Sequence, residues 1–226
     1  RKIKYGTDNM AKGPAMSREE AVKAIEVGIS MVADLKEKGY NVLATGEMGI
    51  GNTTTSSAVC SVLLDQSVEK VTGKGAGLTN KDLEHKIEVI RQSIALNKVN
   101  ADDPLDVLAK VGGLDIAGMA GCYIGGAALN IPVFIDGFIS SVAALIAIRL
   151  VPECAPYLFP SHCSNEPAGR MILDAIGKQP YILANMCLGE GSGAVMGFTI
   201  ADYAFKAYWE LPSFEQTNFG TYEELN

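Results

Sequence analysis

Val42-Leu-Ala-Thr-Gly-Glu-Met-Gly-Ile-Gly-Asn-Thr-Thr-Thr55 runs from a short apolar segment straight into a loop. From Gly46 onward it holds three glycines, one carboxylate, one amide and three hydroxyls. The apolar 42–45 run reads as a short buried strand, and the next apolar-periodic segment, 53–64, reads as a helix. Together they form a strand, loop, helix unit, and that unit decides the fold class.

Upstream, Ser17-Arg-Glu-Glu20 is a capping box, because the serine oxygen can accept from the backbone three residues on while Glu20 reaches back. A helix follows to about residue 38. Its apolar residues Ala21, Ile25, Ile29, Val32 and Leu35 recur at three- and four-residue steps, and Gly39 stands where it must stop. Downstream the alternation repeats. A helix is expected over 82–97, a buried strand over 132–136, an apolar helix over 139–150 and a strand end at 157–160. A helix over 166–176, a weak strand over 181–183 and an alanine- and glycine-rich helix over 193–207 complete the series. Such alternation predicts a three-layer α/β/α fold with a mostly parallel, Rossmann-like sheet, whose ligands sit at the carboxyl ends of the strands. The domain is expected over 1–207. The less regular tail over 208–226 is assigned to part of a small helical lobe.

Composition limits the function. The 226 residues are 48% hydrophobic and 20% charged, which suits one large core. A net charge of −7 with no lysine or arginine cluster disfavours nucleic acid. No apolar run approaches the roughly 20 residues of a membrane span, and no signal-peptide core follows the basic start, so the expected setting is the cytoplasm, away from membranes. Five cysteines, at 60, 122, 154, 163 and 187, lack a C-x-x-C spacing and read as small core residues rather than disulfides or zinc ligands. No metal and no cofactor is expected.

Two further glycine clusters, Gly73-Lys-Gly-Ala-Gly77 and Gly189-Glu-Gly-Ser-Gly193, each precede an expected helix. Glycine lets backbone N–H groups approach a ligand, and the helix N-terminus behind adds partial positive charge, so three such loops suit a monophosphate. None is a Walker A loop, a G-x-G-x-x-G fingerprint or a G-x-S-x-G elbow. Glu47 and Glu190 each lie inside a glycine loop, where a carboxylate can hold ribose hydroxyls or act as general base in a dry pocket. Lys86 can supply positive charge to a phosphate. Spacing alone gives His85 and His162 no role.

The ordered set of motifs carries a resemblance. The opening loop is followed by the second loop with Leu78, by Gly112-Gly-Leu-Asp-Ile-Ala-Gly-Met-Ala-Gly121 and by Asp136-Gly-Phe-Ile-Ser-Ser141. Ser161-His-x-Ser-x-Glu-Pro167 and Leu188-Gly-Glu-Gly-Ser-Gly-Ala194 complete it. Over essentially its whole length the chain resembles the nicotinate-nucleotide:dimethylbenzimidazole phosphoribosyltransferase family of cobalamin lower-ligand synthesis. The resemblance implies transfer of 5-phosphoribosyl from nicotinate mononucleotide to an aromatic acceptor base, giving an α-ribotide and nicotinate. It implies Glu190 as the catalytic base. For substrate binding it implies Glu47, Gly49, Gly51, Asn52 and Thr53 of the first loop, Gly73, Gly75 and Gly77 of the second with Lys86, and Gly189 and Gly191 of the third. A dimer is implied as well, either a homodimer or a heterodimer with a related chain.

Three positions depart from the family pattern: Ala168-Gly169 stands where Gly-His is usual, and Cys187 where arginine is usual. The resemblance also implies an amino-terminal part, contributing to the acceptor pocket and the small lobe, outside this chain. The rival functions are a phenol or cresol acceptor attached through oxygen, and a non-catalytic subunit or paralogue that binds a nucleotide without turnover.

Overall fold

The computed structural model describes residues 1–217. Helix α1 (Arg18–Glu37) begins on the expected capping box: Ser17 Oγ accepts the Glu20 N–H at 3.1 Å and the Glu20 carboxylate accepts the Ser17 N–H at 2.8 Å. The chain leaves it through Gly39, whose φ of +88° suits glycine. Next come β1 (Leu43–Ala44), α2 (Thr53–Leu63), α3 (Val68–Val71), α4 (Asn80–Asn97), α5 (Pro104–Val111) and α6 (Leu114–Ala128). They are followed by β2 (Val133–Ile135), α7 (Phe138–Leu150), a 3₁₀ segment at Pro152–Tyr157, β3 (Leu158–Pro160), α8 (Gly169–Ala175), α9 (Ser192–Glu210) and a 3₁₀ turn at Phe214–Gln216.

The sheet is parallel with order β1-β2-β3, pairing Leu43 with Val133 and Ile135 with Pro160. Successive strand residues face opposite sides, and β2 shows what covers each. A side chain at Gly126 of α6 would run into Val133, whereas one at Gly197 of α9 would meet the Phe134 ring at 2.8 Å. Helices therefore cover both faces, and the fold is α/β with a parallel sheet. Two expectations change. The 42–45 strand is an edge strand whose Ala44 is exposed and Leu43 half-buried, so only its last position, Thr45, is buried. The 181–183 strand shrinks to one parallel bridge between Ile182 and His162.

The main core lies on the Val133 face, where Val107 and Leu108 of α5, Ile116 and Tyr123 of α6 and the 142–147 stretch of α7 are buried. Helices α1 and α6 approach backbone to backbone. A Cβ on Gly28 would fall on Gly118 O, and one on Gly121 on Ile25 O. Tyr123 then reaches across, its hydroxyl 2.5 Å from Thr45 Oγ1 and donating to Ser140 O at 3.0 Å, and so fastens the end of β1 to α7. Helix α9 contrasts with this core. It buries Gly193, Ala194 and Gly197 but exposes Tyr203, Tyr208 and Trp209, and it crosses the expected 207/208 boundary without a break. The rest of the expected tail, residues 218–226, lies outside the described residues.

Candidate active site

All three strands point their carboxyl ends at one cleft of about 740 Å³, and the three glycine loops meet there. The first and third loops touch directly. The Glu190 N–H donates to Glu47 O at 3.0 Å, and a Cβ on Gly46 would collide with the Gly191 backbone. The second loop rests on the start of α2, where a Cβ on Gly75 would stand 2.8 Å from Thr53 Oγ1. Loop one is therefore flanked by the other two.

At the second loop, Lys86 of α4 is 7% exposed and donates to Thr53 Oγ1 at 2.9 Å and to Gly73 O at 3.0 Å. Its ammonium braces the loop against α2 from behind the cleft wall and places positive charge under both. Burial pushes Lys86 below the ordinary lysine value, opposed by the charge of Glu166. Glu166 sits on the other side of the loop. Burial raises its carboxyl above the ordinary glutamate value, while Lys86 and a hydrogen bond from the Gly75 backbone pull it down. A side chain at Gly73 would collide with the Glu166 carboxylate, whose Oε2 is buried and has no hydrogen-bond partner among the described residues.

The third loop is held from β2. Asp136, 1% exposed, accepts the Gly193 N–H at 2.8 Å and the Ala194 N–H at 3.2 Å on Oδ1, and the Gly191 N–H at 3.0 Å on Oδ2. His162 lies against it, Nδ1 at 4.0 Å from Asp136 Oδ1 and 3.0 Å from Ser161 Oγ. Burial lowers the His162 pKa, with the Asp136 charge opposing. The N-terminus of α9 is thus already occupied by a carboxylate. That corrects the expectation that each loop offers a free helix dipole to an anion: the third does not.

The expected site residues divide accordingly. Glu47, Gly49, Thr53, Gly73, Gly75 and Gly189 line the cleft. Glu47 Oε2 accepts the Gly49 N–H at 2.6 Å, so the carboxylate shapes its own loop. Lys86 stands behind the wall. Asn52 turns to α6, its Nδ2 donating to Asp115 Oδ2 at 2.8 Å while its Oδ1 is buried without a partner among the described residues. Gly51, Gly77 and Gly191 shape loops from outside the lining, each with positive φ. Glu190 is exposed at the rim on a left-handed backbone, φ +60°, rather than in a dry pocket. Sequence reasoning assigned no role to Asp136, His162, Ser164 or Glu166, all of which line the cleft. The signal available for Asp136 is its place at the carboxyl end of an apolar strand, where α/β sheets bind ligands.

A family model described as a phosphoribosyltransferase matches residues 1–219. The chain is 56% identical over 225 residues to a protein of Ruminiclostridium cellulolyticum and 52% identical over 223 residues to one of Acetivibrio thermocellus. Both bear the name nicotinate-nucleotide–dimethylbenzimidazole phosphoribosyltransferase. The matches cover 100% and 99% of this chain, and the chain spans 64% of the length of each relative. The crystal structure of CobT from Thermus thermophilus superposes with a TM-score of 0.90 at 35% identity, over 96% of this chain and 64% of that one. With the same loops gathered at one cleft and the family pattern running through nearly every described residue, the chain belongs to this phosphoribosyltransferase family.

Proposed function

We propose that the protein transfers the 5-phosphoribosyl group of nicotinate mononucleotide to an aromatic base, dimethylbenzimidazole or a close analogue, giving an α-ribotide and nicotinate. The observation that carries the reading is the meeting of the three loops. The Lys86-braced second loop and the Glu47 and Glu190 loops, the latter two joined by a backbone hydrogen bond, border one cleft. In this assignment the second loop and Thr53 take the phosphate, and Glu47 takes ribose hydroxyls. Nicotinate departs from the anomeric carbon as a neutral ring nitrogen and needs no strong acid. The acceptor nitrogen attacks from the opposite face, and Glu190 takes its proton. A loop that fixes phosphate and ribose turns this into a reaction of pre-placed partners, the source of a large part of the acceleration in such transfers.

The deciding experiment incubates the protein with nicotinate mononucleotide and either dimethylbenzimidazole or phenol and reads products by mass. An α-ribotide of the base with stoichiometric nicotinate is expected. A phenolic product alone would move the reading to the oxygen acceptor, and nicotinate release no faster than background would leave a binding subunit. We further assign a two-fold dimer, supported by the exposed apolar face of α9, which a soluble protein ordinarily covers. A concentration-independent monomer in sedimentation would refute it.

A further inference from the structure

Glu166 places a negative charge at the loop to which the phosphate is assigned. Its carboxyl touches Gly73 and lines the cleft with Gly73 and Gly75. A phosphate dianion brought to that loop meets this carboxylate at close range, and in a half-buried site two like charges repel far more strongly than in water. Lys86 behind the wall and Lys74 in the loop offset part of this charge but do not separate the two anions. The buried Oε2, without a partner among the described residues, points the same way, because an ionised oxygen sealed from water without a donor costs more than a neutral, protonated one.

Resting on the assignment of the phosphate to the second loop, we propose that this loop accepts a phosphomonoester only with Glu166 protonated, so that phosphate binding draws one proton from solvent. The neutral carboxyl no longer repels the phosphate and offers it an O–H donor. The proton remains on Glu166 while the phosphate is bound and returns to solvent on release. The site thereby reads the phosphate and not the sugar or the ring: a nucleoside lacking it brings no charge and moves no proton. The other charged or titratable groups of the cleft are Glu47, Lys74, Asp136, His162 and Cys187, with Lys86 behind them. Burial holds the His162 pKa low.

Calorimetric titrations at about pH 8, where a phosphomonoester is already a dianion, in two buffers of different ionisation enthalpy, read the protons taken up. With wild type, uptake approaching one proton is expected for nicotinate mononucleotide and for inorganic phosphate, and none for nicotinate riboside. The dissociation constant for the nucleotide should rise by up to about tenfold per pH unit above the titration of Glu166 in the free protein. In Glu166→Gln both the uptake and the pH slope should vanish. Equal uptake in wild type and Glu166→Gln, or equal uptake with the mononucleotide and the riboside, overturns the role of Glu166 while leaving the phosphate site standing. Failure of nicotinate mononucleotide and phosphate to bind wild type at any pH removes the phosphate site, and the inference with it. The comparison of mononucleotide with riboside uses wild type alone and decides even if Glu166→Gln does not fold.

Discussion

Asp136 Oδ1 accepts the Gly193 N–H at 2.8 Å, so a strand closes the first turn of a helix fifty-odd residues further along the chain. The relationship fixes the third loop relative to the sheet. With Gly191 and Ala194 donating to the same carboxylate, the backbone on either side of Ser192 cannot shift without breaking bonds to β2. Replacing Asp136 by alanine orphans three backbone donors, two of them on buried residues. The expected cost is about 2–4 kcal/mol of stability, since a buried donor left unpaired costs about 1–3 kcal/mol. Urea unfolding of Asp136→Ala measures it; a midpoint unchanged from wild type would show that water replaces the carboxylate without penalty.

Contact between the first and third loops can be tested with a single methyl group. A Cβ on Gly46 would collide with the Gly191 backbone rather than with a movable side chain, so Gly46→Ala must separate the loops. Global stability should fall little, because Gly46 is exposed and lies outside the core. Turnover should drop at least about tenfold, as misplacement by an ångström costs on the order of a hundredfold. Steady-state kinetics beside a thermal melt separates the two effects.

His162 gives the fold a pH dependence of known sign. Burial lowers its pKa in the folded state below the ordinary 6.5, so below that pH the unfolded chain binds a proton that the folded chain does not. Stability should therefore decrease as pH falls through 6.5 towards the folded value, and be fully present above it. Glu166, raised by burial above its ordinary 4.5, acts in the opposite sense, its contribution full below 4.5 and lost as pH rises through its folded value. The comparison with His162→Asn isolates the histidine. Urea midpoints of the two proteins should diverge with pH across this window, and parallel curves would remove His162 as the source.

Much of this architecture is legible in the sequence where local chemistry is strong. The Ser17 capping box, the apolar period of α1 and the glycine loops after apolar runs all appear where their residues place them. Helices α5 and α6 escaped. The 112–128 segment is so rich in glycine and alanine that it shows no apolar stripe, and its helix is stabilised by tertiary contact with α1, which the small residues permit. Ala44 reads as core because it lies in an apolar run, but its strand is at the edge of the sheet. Among the cleft-lining residues, Gly49, Gly73, Gly75, Gly189 and Thr53 were readable because loop chemistry is local, whereas Gly51, Gly77 and Gly191 stand outside the lining. Glu166 and Asp136 act on loops more than fifty residues away in sequence, and no spacing rule connects them.

Glu190 and Lys86 should fail in different ways. Lys86 binds Thr53 and Gly73 and touches the reaction only through the second loop, so Lys86→Met should weaken nicotinate mononucleotide binding by about ten- to a hundredfold, the worth of a charge-assisted hydrogen bond or two. The turnover of bound substrate should change far less. Glu190 is exposed, and its backbone N–H is held by Glu47 O. Glu190→Gln should therefore leave folding and nucleotide binding nearly intact. If its carboxylate accepts the acceptor's proton, turnover should fall by about two to four orders of magnitude, the usual contribution of a general base. The rim position adds a condition: an exposed carboxylate serves as base only once the bound acceptor covers it. The defect should therefore be large with a benzimidazole acceptor present and absent from the slow hydrolysis of nicotinate mononucleotide alone. Near-normal turnover of Glu190→Gln on a benzimidazole would remove the residue from the mechanism and leave its loop as scaffold, held by Asp136 to position Glu47.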